Sequence, residues 1–154
     1  MKKYSLLFVL VLAFIGLNAQ VQPHAIGARL GGGYYGTGFE VSYQHGFGDK
    51  NRLELDLGLA SKYSSSSMSI AGIYQWVWGL GEGFNWFAGP GAQMFFYKNN
   101  SLIAIGGDIG VEYDFNVNLD TPLQISLDTR PMWGFAKYDD GFGWGAALGI
   151  RYTF

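Results

Sequence analysis

The chain has 154 residues, enough for one domain, and a formal net charge of -2 that offers no basic stripe for nucleic acid. Hydrophobic residues make up 49% of it and only 14% is charged, and with just 4 Pro it is not a Pro-rich disordered chain. It has no cysteine, which excludes disulfides, thiolate chemistry and a Cys-rich metal site.

The N-terminus reads as a targeting segment. Lys2 and Lys3 precede the apolar run "LLFVLVLAFIG", residues 6–16, and "LNAQ" follows. This is the pattern of a cleavable secretory signal peptide over residues 1–19, cut after Ala19. The apolar run is shorter than the roughly 20 residues of a spanning helix. Removing the two lysines takes the net charge from -2 to -4 and leaves a domain over residues 20–154. No later run is long and apolar enough for a transmembrane helix, so a membrane-embedded mature chain must be a closed barrel.

From residue 24 onward, period-2 alternation keeps returning. "FEVSYQ" sets Phe39, Val41 and Tyr43 against Glu40, Ser42 and Gln44. "LELDLGLA" sets Leu53, Leu55, Leu57 and Leu59 against Glu54, Asp56, Gly58 and Ala60. "IGVEYDF" and "LQISLDTR" repeat the pattern over 109–115 and 123–130. Turn signals such as "GGYYGTG", "GDKN", "SKYSSSS", "GLGEG" and "KYDDG" separate the runs. The spacing predicts eight strands, near 24–33, 37–47, 52–62, 68–79, 84–97, 101–115, 122–135 and 142–154. Each is long enough to cross a bilayer when tilted. An even number puts both termini at the same end. Pro90 and Pro131 fall inside two runs, where a bulge or local break is expected, because proline removes a ladder donor. "YSSSSMS", residues 63–69, reads as a surface loop.

The bulk of the apolar set points it outward. Tyr43, Trp76, Trp78, Trp86, Phe96, Trp133, Trp144 and Tyr152 are too large for the interior of an eight-stranded barrel. The mature lysines Lys50, Lys62, Lys98 and Lys137 sit in or beside turns. The strand charges lie on the small-residue face: Arg29, Glu40, Glu54, Asp56, Asp108, Glu112, Asp114, Asp128, Arg130 and Arg151. Three arginines against seven acids predict a structural network in the lumen. Symmetric counting from the turns puts Arg29 opposite Glu40 and Asp108 opposite Arg130. It puts Arg151 near Ser126 and diagonal to Asp128. Many outward Trp and Tyr fall near strand ends, as interfacial girdles do.

With these residues in view, the chain resembles small eight-stranded outer-membrane barrels of the OmpA/OmpX type. The most specific match is the C-terminus, where Gly149, Tyr152 and Phe154 fit the barrel-assembly signal of that class. Ala147 stands where a polar residue is expected. The resemblance implies an all-β, transmembrane up-and-down barrel in the outer membrane of a Gram-negative cell. It implies partnership with outer-membrane lipid, with the barrel-assembly machinery and with periplasmic chaperones, and a monomeric protein.

Some small outer-membrane barrels modify lipids, and that chemistry makes demands on the residues present. Acyl transfer needs a nucleophile, a base and an orienting group. His24 and His45 both fall at the end holding the termini, and His45 is not followed by a serine two positions on as in the lipid A deacylases. No catalytic, cofactor-binding or metal residue is assigned, and no cofactor is expected. "GGGYYG" lacks the strand–turn–helix context of a nucleotide site, and Asp139 and Asp140 read as a turn. The expected role is structural or surface-interacting, with a charge-plugged lumen. The alternatives are a lipid-modifying enzyme or narrow pore, and a secreted soluble ligand-binding barrel.

Overall fold

The alternating runs pair with their sequence neighbours until the last meets the first. The computed structural model describes residues 21–62, 65–98, 100–135 and 141–154. The segment read as a signal peptide, residues 1–19, and the tip "YDDG" up to residue 140 lie outside the described residues. In chain order the strands are β1 (His24–Gly33), β2 (Gly36–Gly46), β3 (Asn51–Lys62), β4 (Ser65–Gly81), β5 (Phe84–Phe96) and β6 (Ser101–Asp114). A single helical turn, α1 (Asn116–Leu119), precedes β7 (Leu123–Thr129), β8 (Met132–Phe135), β9 (Gly141–Gly143) and β10 (Gly145–Thr153). β7 and β8 are two pieces of the seventh stave, and β9 and β10 of the eighth. β1 pairs antiparallel with β10 from Ala25↔Thr153 to Gly33↔Gly145, which closes the sheet. The fold is a closed, eight-stranded, antiparallel up-and-down β-barrel. Closure pairs the first and last staves, so neither is left as an open edge along the length of β1 and β10. Below, the end holding His24 and Phe154 is the closing end, and the end of the β1–β2 turn is the far end.

Tight turns set the registers. Tyr34 and Tyr35 link Gly33↔Gly36, which fixes Arg29 opposite Glu40. Glu82 and Gly83 form the β4–β5 turn with φ of 53° and 84°, the paired positive values of a hairpin turn that follows strand twist. The β3–β4 hairpin is tighter than its composition suggests. Lys62 faces Ser65 in register, and β4 begins there, so Ser65–Ser69 are strand rather than loop. Ser67 and Ser69 are buried while Met68 and Ile70 are exposed, so the alternation continues through a serine-rich stretch.

The two prolines behave differently. Pro131 interrupts the ladder between β7 and β8, but the register on β6 is unchanged from Ile109↔Thr129 to Ile105↔Trp133. Pro90 stays inside β5 opposite Gly107 of β6. On its other side the β4–β5 pairing skips from Ile73↔Gly91 to Trp76↔Ala88 with no bulge. Pro90, which would face Tyr74, has no N–H to give the ladder, and the strands also run close together here. The Tyr74 carbonyl oxygen lies 1.8 Å from where a Cβ on Gly89 would stand. The register shift in this hairpin falls instead between Gly79 and Gly81, next to the turn.

The two faces have opposite polarity. Leu57, Leu59 and Trp144 are 61%, 63% and 64% exposed, whereas Glu54 and Arg151 are each 1% exposed. Two apolar clusters also sit inside. Ile73, Phe95, Leu102, Ala104 and Met132 pack with Tyr35 and Tyr97 toward the far end. Val77 and Phe87 pack with Val21 toward the closing end.

Candidate functional site

Strand parity delivers the charged side chains into the lumen. In β1, β7 and β10 the residues Arg29, Asp128 and Arg151 share faces with Gly, Ala and Ser, which leaves space for guanidinium groups to extend across the barrel. Gly149 shows how little room remains: a Cβ there would sit 2.5 Å from Ser126 Oγ and 2.8 Å from Arg151 Nη1.

Glu54 is the hub. Its carboxylate accepts from Gln44 Nε2 at 2.5 Å, Arg130 Nη2 at 2.6 Å and Arg151 Nη2 at 3.0 Å, with Arg29 Nε at 3.7 Å. Arg29 also pairs with Glu40 and Asp128. Arg130 reaches Asp56 at 2.7 Å and Asp108 at 3.7 Å. Arg151 is not diagonal to Asp128. It faces Gln124 in register, donates to Ser126 Oγ at 2.8 Å and Ser42 Oγ at 3.0 Å, and crosses the lumen to Glu54. The difference is two residues of register along β10.

A fourth arginine joins them. Arg52 is 2% exposed, bonds Gln75 Oε1 at 2.6 Å and Glu112 at 2.7 Å, and lies 4.8 Å from the Phe87 ring centre. Gln75 in turn donates to Asp108 at 2.7 Å, which links this group to Arg130. Arg52 has the same strand parity as Glu54 and Asp56, a signal present in the sequence but masked by the adjoining turn composition "GDKN". Asp114 stands apart from the arginines. It accepts from Gln22 Nε2 at 2.7 Å and from the Asn116 backbone N–H at 2.9 Å, fastening the chain before β1 to the start of α1. The lumen thus holds a central ionic network with an apolar cluster toward the far end and a smaller one, Val77 and Phe87, toward the closing end, where Glu112 and Asp114 also lie. Burying charges so densely is tolerable only because each finds opposite charge or a hydrogen bond.

A cavity of about 90 Å³ lies beside the network, between the glycine wall Gly31, Gly33 and Gly58 and the side chains of Arg29, Glu40 and Phe95. His24 and His45 face outward at the closing end. Among the described residues, no cluster of three or more His, Cys, Asp or Glu side chains is placed to hold a metal ion.

The fold defines a class, that of small closed eight-stranded antiparallel barrels, an architecture shared with solved outer-membrane barrel structures. No family model matches the chain, and no curated protein matches it in sequence. In structure it is similar to Neisserial surface protein A, with a TM-score of 0.65 and 14% identity over 85% of this chain and 96% of that one. It is similar to a de novo designed transmembrane β-barrel, with a TM-score of 0.56 and 11% identity over 90% and 100%. It is also similar to the Yersinia pestis outer membrane protein Ail, with a TM-score of 0.51 and 12% identity over 86% and 100%.

Proposed function

We propose that this chain is an integral outer-membrane barrel with a structural or surface-interaction role, a sealed lumen and no catalysis. The observation that carries the reading is the inverted polarity. Leucine, isoleucine and tryptophan cover the outer wall, while four arginines are buried within. Water does not favour so continuous an apolar exterior, and hydrocarbon does. Two structural neighbours are named as a surface protein and an outer membrane protein, in keeping with this location. In this reading a signal peptide over residues 1–19 exports the chain. Gly149, Tyr152 and Phe154 then present the C-terminal strand to the barrel-assembly machinery. His24 contacts Tyr43 and Phe154, and His45 contacts His24 and Phe47, which supports a non-catalytic role. Fractionation with gel migration before and after boiling tests the location. A membrane-bound protein whose folded form migrates differently is expected. A folded protein that stays soluble without detergent would overturn the reading.

A further inference from the structure

His24 and His45 are direct cross-strand partners in β1 and β2, the arrangement that brings two side chains closest on one face of a sheet. Both rings turn the same nitrogen inward: the two Nδ1 atoms lie 3.3 Å apart. Tyr43, two residues from His45 on the same outward face, places its Oη 2.9 Å from His24 Nδ1. His24 Nδ1 thus meets two neighbours with a single lone pair or a single proton. These spacings are those of ligands around one ion. Two donors about 2.05 Å from a metal lie about 2.9 Å apart at a right angle and about 3.3 Å apart at the tetrahedral angle. Aromatic rings wall the group. Phe154 stacks on His24 with centroids 5.4 Å apart, and Phe47 meets His45 edge-on at 4.9 Å.

We propose that His24 and His45, assisted by Tyr43, bind one divalent transition-metal ion at the barrel seam. The ligands are two imidazole nitrogens and a phenol oxygen, with water completing the shell. Imidazole ligands and the absence of a carboxylate select ions of the Cu²⁺, Ni²⁺ and Zn²⁺ group over Mg²⁺ or Ca²⁺, with Cu²⁺ bound most tightly. The site sits where the His24 N–H donates to the Phe154 carbonyl at 3.1 Å, so a bound ion would brace β1 where it meets the terminal residue. The proposal does not depend on the membrane reading, because its ligands and their spacing are set by the β1–β2 hairpin.

The test titrates CuCl₂ into the untagged full barrel folded in detergent, followed by isothermal titration and electron paramagnetic resonance. One ion per barrel is expected, with hyperfine coupling from two nitrogens. The chain has only 2 His, so a two-imidazole signal from a monomeric barrel must use both. His24→Ala and His45→Ala should each weaken binding by at least about 100-fold, beyond the 10–100-fold typical of losing an outer-shell partner. Tyr43→Phe should keep the two-nitrogen signal and weaken binding less. The spectrum is read on the wild-type protein, so the outcome does not hinge on any variant folding. A wild-type signal without two nitrogens would overturn the proposal. So would binding unchanged in the folded double variant, or Mg²⁺ competing on equal terms.

Discussion

Glu54 shows what a single buried carboxylate does among four arginines. Three guanidinium groups and Gln44 converge on it, and it is 1% exposed. Truncating it leaves several cations facing one another without their common counter-charge. Glu54→Ala should therefore cost about 3–5 kcal/mol, as a lowered urea midpoint of the folded barrel in detergent. Asp114→Ala provides the comparison. Asp114 is as deeply buried, yet its partners are the neutral Gln22 and Asn116. Its loss leaves neutral donors unsatisfied and should cost about 1–3 kcal/mol. Equal losses in the two variants would show that Glu54 is not the hub. Arg52 belongs to the same network although it follows a turn motif, because parity along β3 decides its face more strongly than local composition does.

At the level of the strands, closure depends on close approach at the seam of β1 and β10. A Cβ on Gly27 would stand 1.9 Å from the Ile150 carbonyl oxygen and 2.6 Å from Arg151 Cα. Both are backbone atoms, so the strands themselves would have to part. Gly27→Ala should cost about 1–3 kcal/mol, the usual price of overpacking, and should lower the fraction that refolds to the heat-modifiable form. Gly72 offers the control: a Cβ there meets only Leu55 Cδ2 at 3.7 Å. Gly72→Ala should stay within about 1 kcal/mol of wild type. The strands were legible because every apolar run alternates and short turns fix hairpin centres, as Gly33↔Gly36 does for Arg29 and Glu40. Ser65–Ser69 were not, because serine is common in loops and its small size suits a crowded lumen equally well. The end clusters were hidden for another reason. Phe95, Leu102 and Phe87 occupy lumenal positions where polar or small residues were expected, and only the tertiary arrangement shows that they cap the charges.

For the whole molecule, the layered lumen has consequences for ions in solution. Tyr35 swings in from the β1–β2 turn and donates to the Gly141 carbonyl at 3.2 Å, bridging the far end above Phe95. Val21, Val77 and Phe87 narrow the closing end. The cavity of about 90 Å³ lies toward the far end, lined by Tyr34, Tyr35 and Trp144 as well as by Arg29, Glu40 and Arg130, and has room for on the order of six waters. Eight strands leave little interior beyond what side chains fill. The barrel should therefore show no steady conductance in a planar bilayer. The same packing should keep mobile salt from Glu54 and its arginines, all of them buried. Surface pairs weaken strongly between about 0.05 and about 1 M salt, where the screening length falls to about 3 Å. Here the unfolding free energy in urea should change by less than about 1 kcal/mol over that range, the scale of exposed ion pairs. The two measurements constrain each other. A path wide enough for steady conduction would admit counter-ions to Glu54 and its arginines. A conducting barrel should then also lose stability in salt, whereas a salt-insensitive, silent barrel is what the packed layers require.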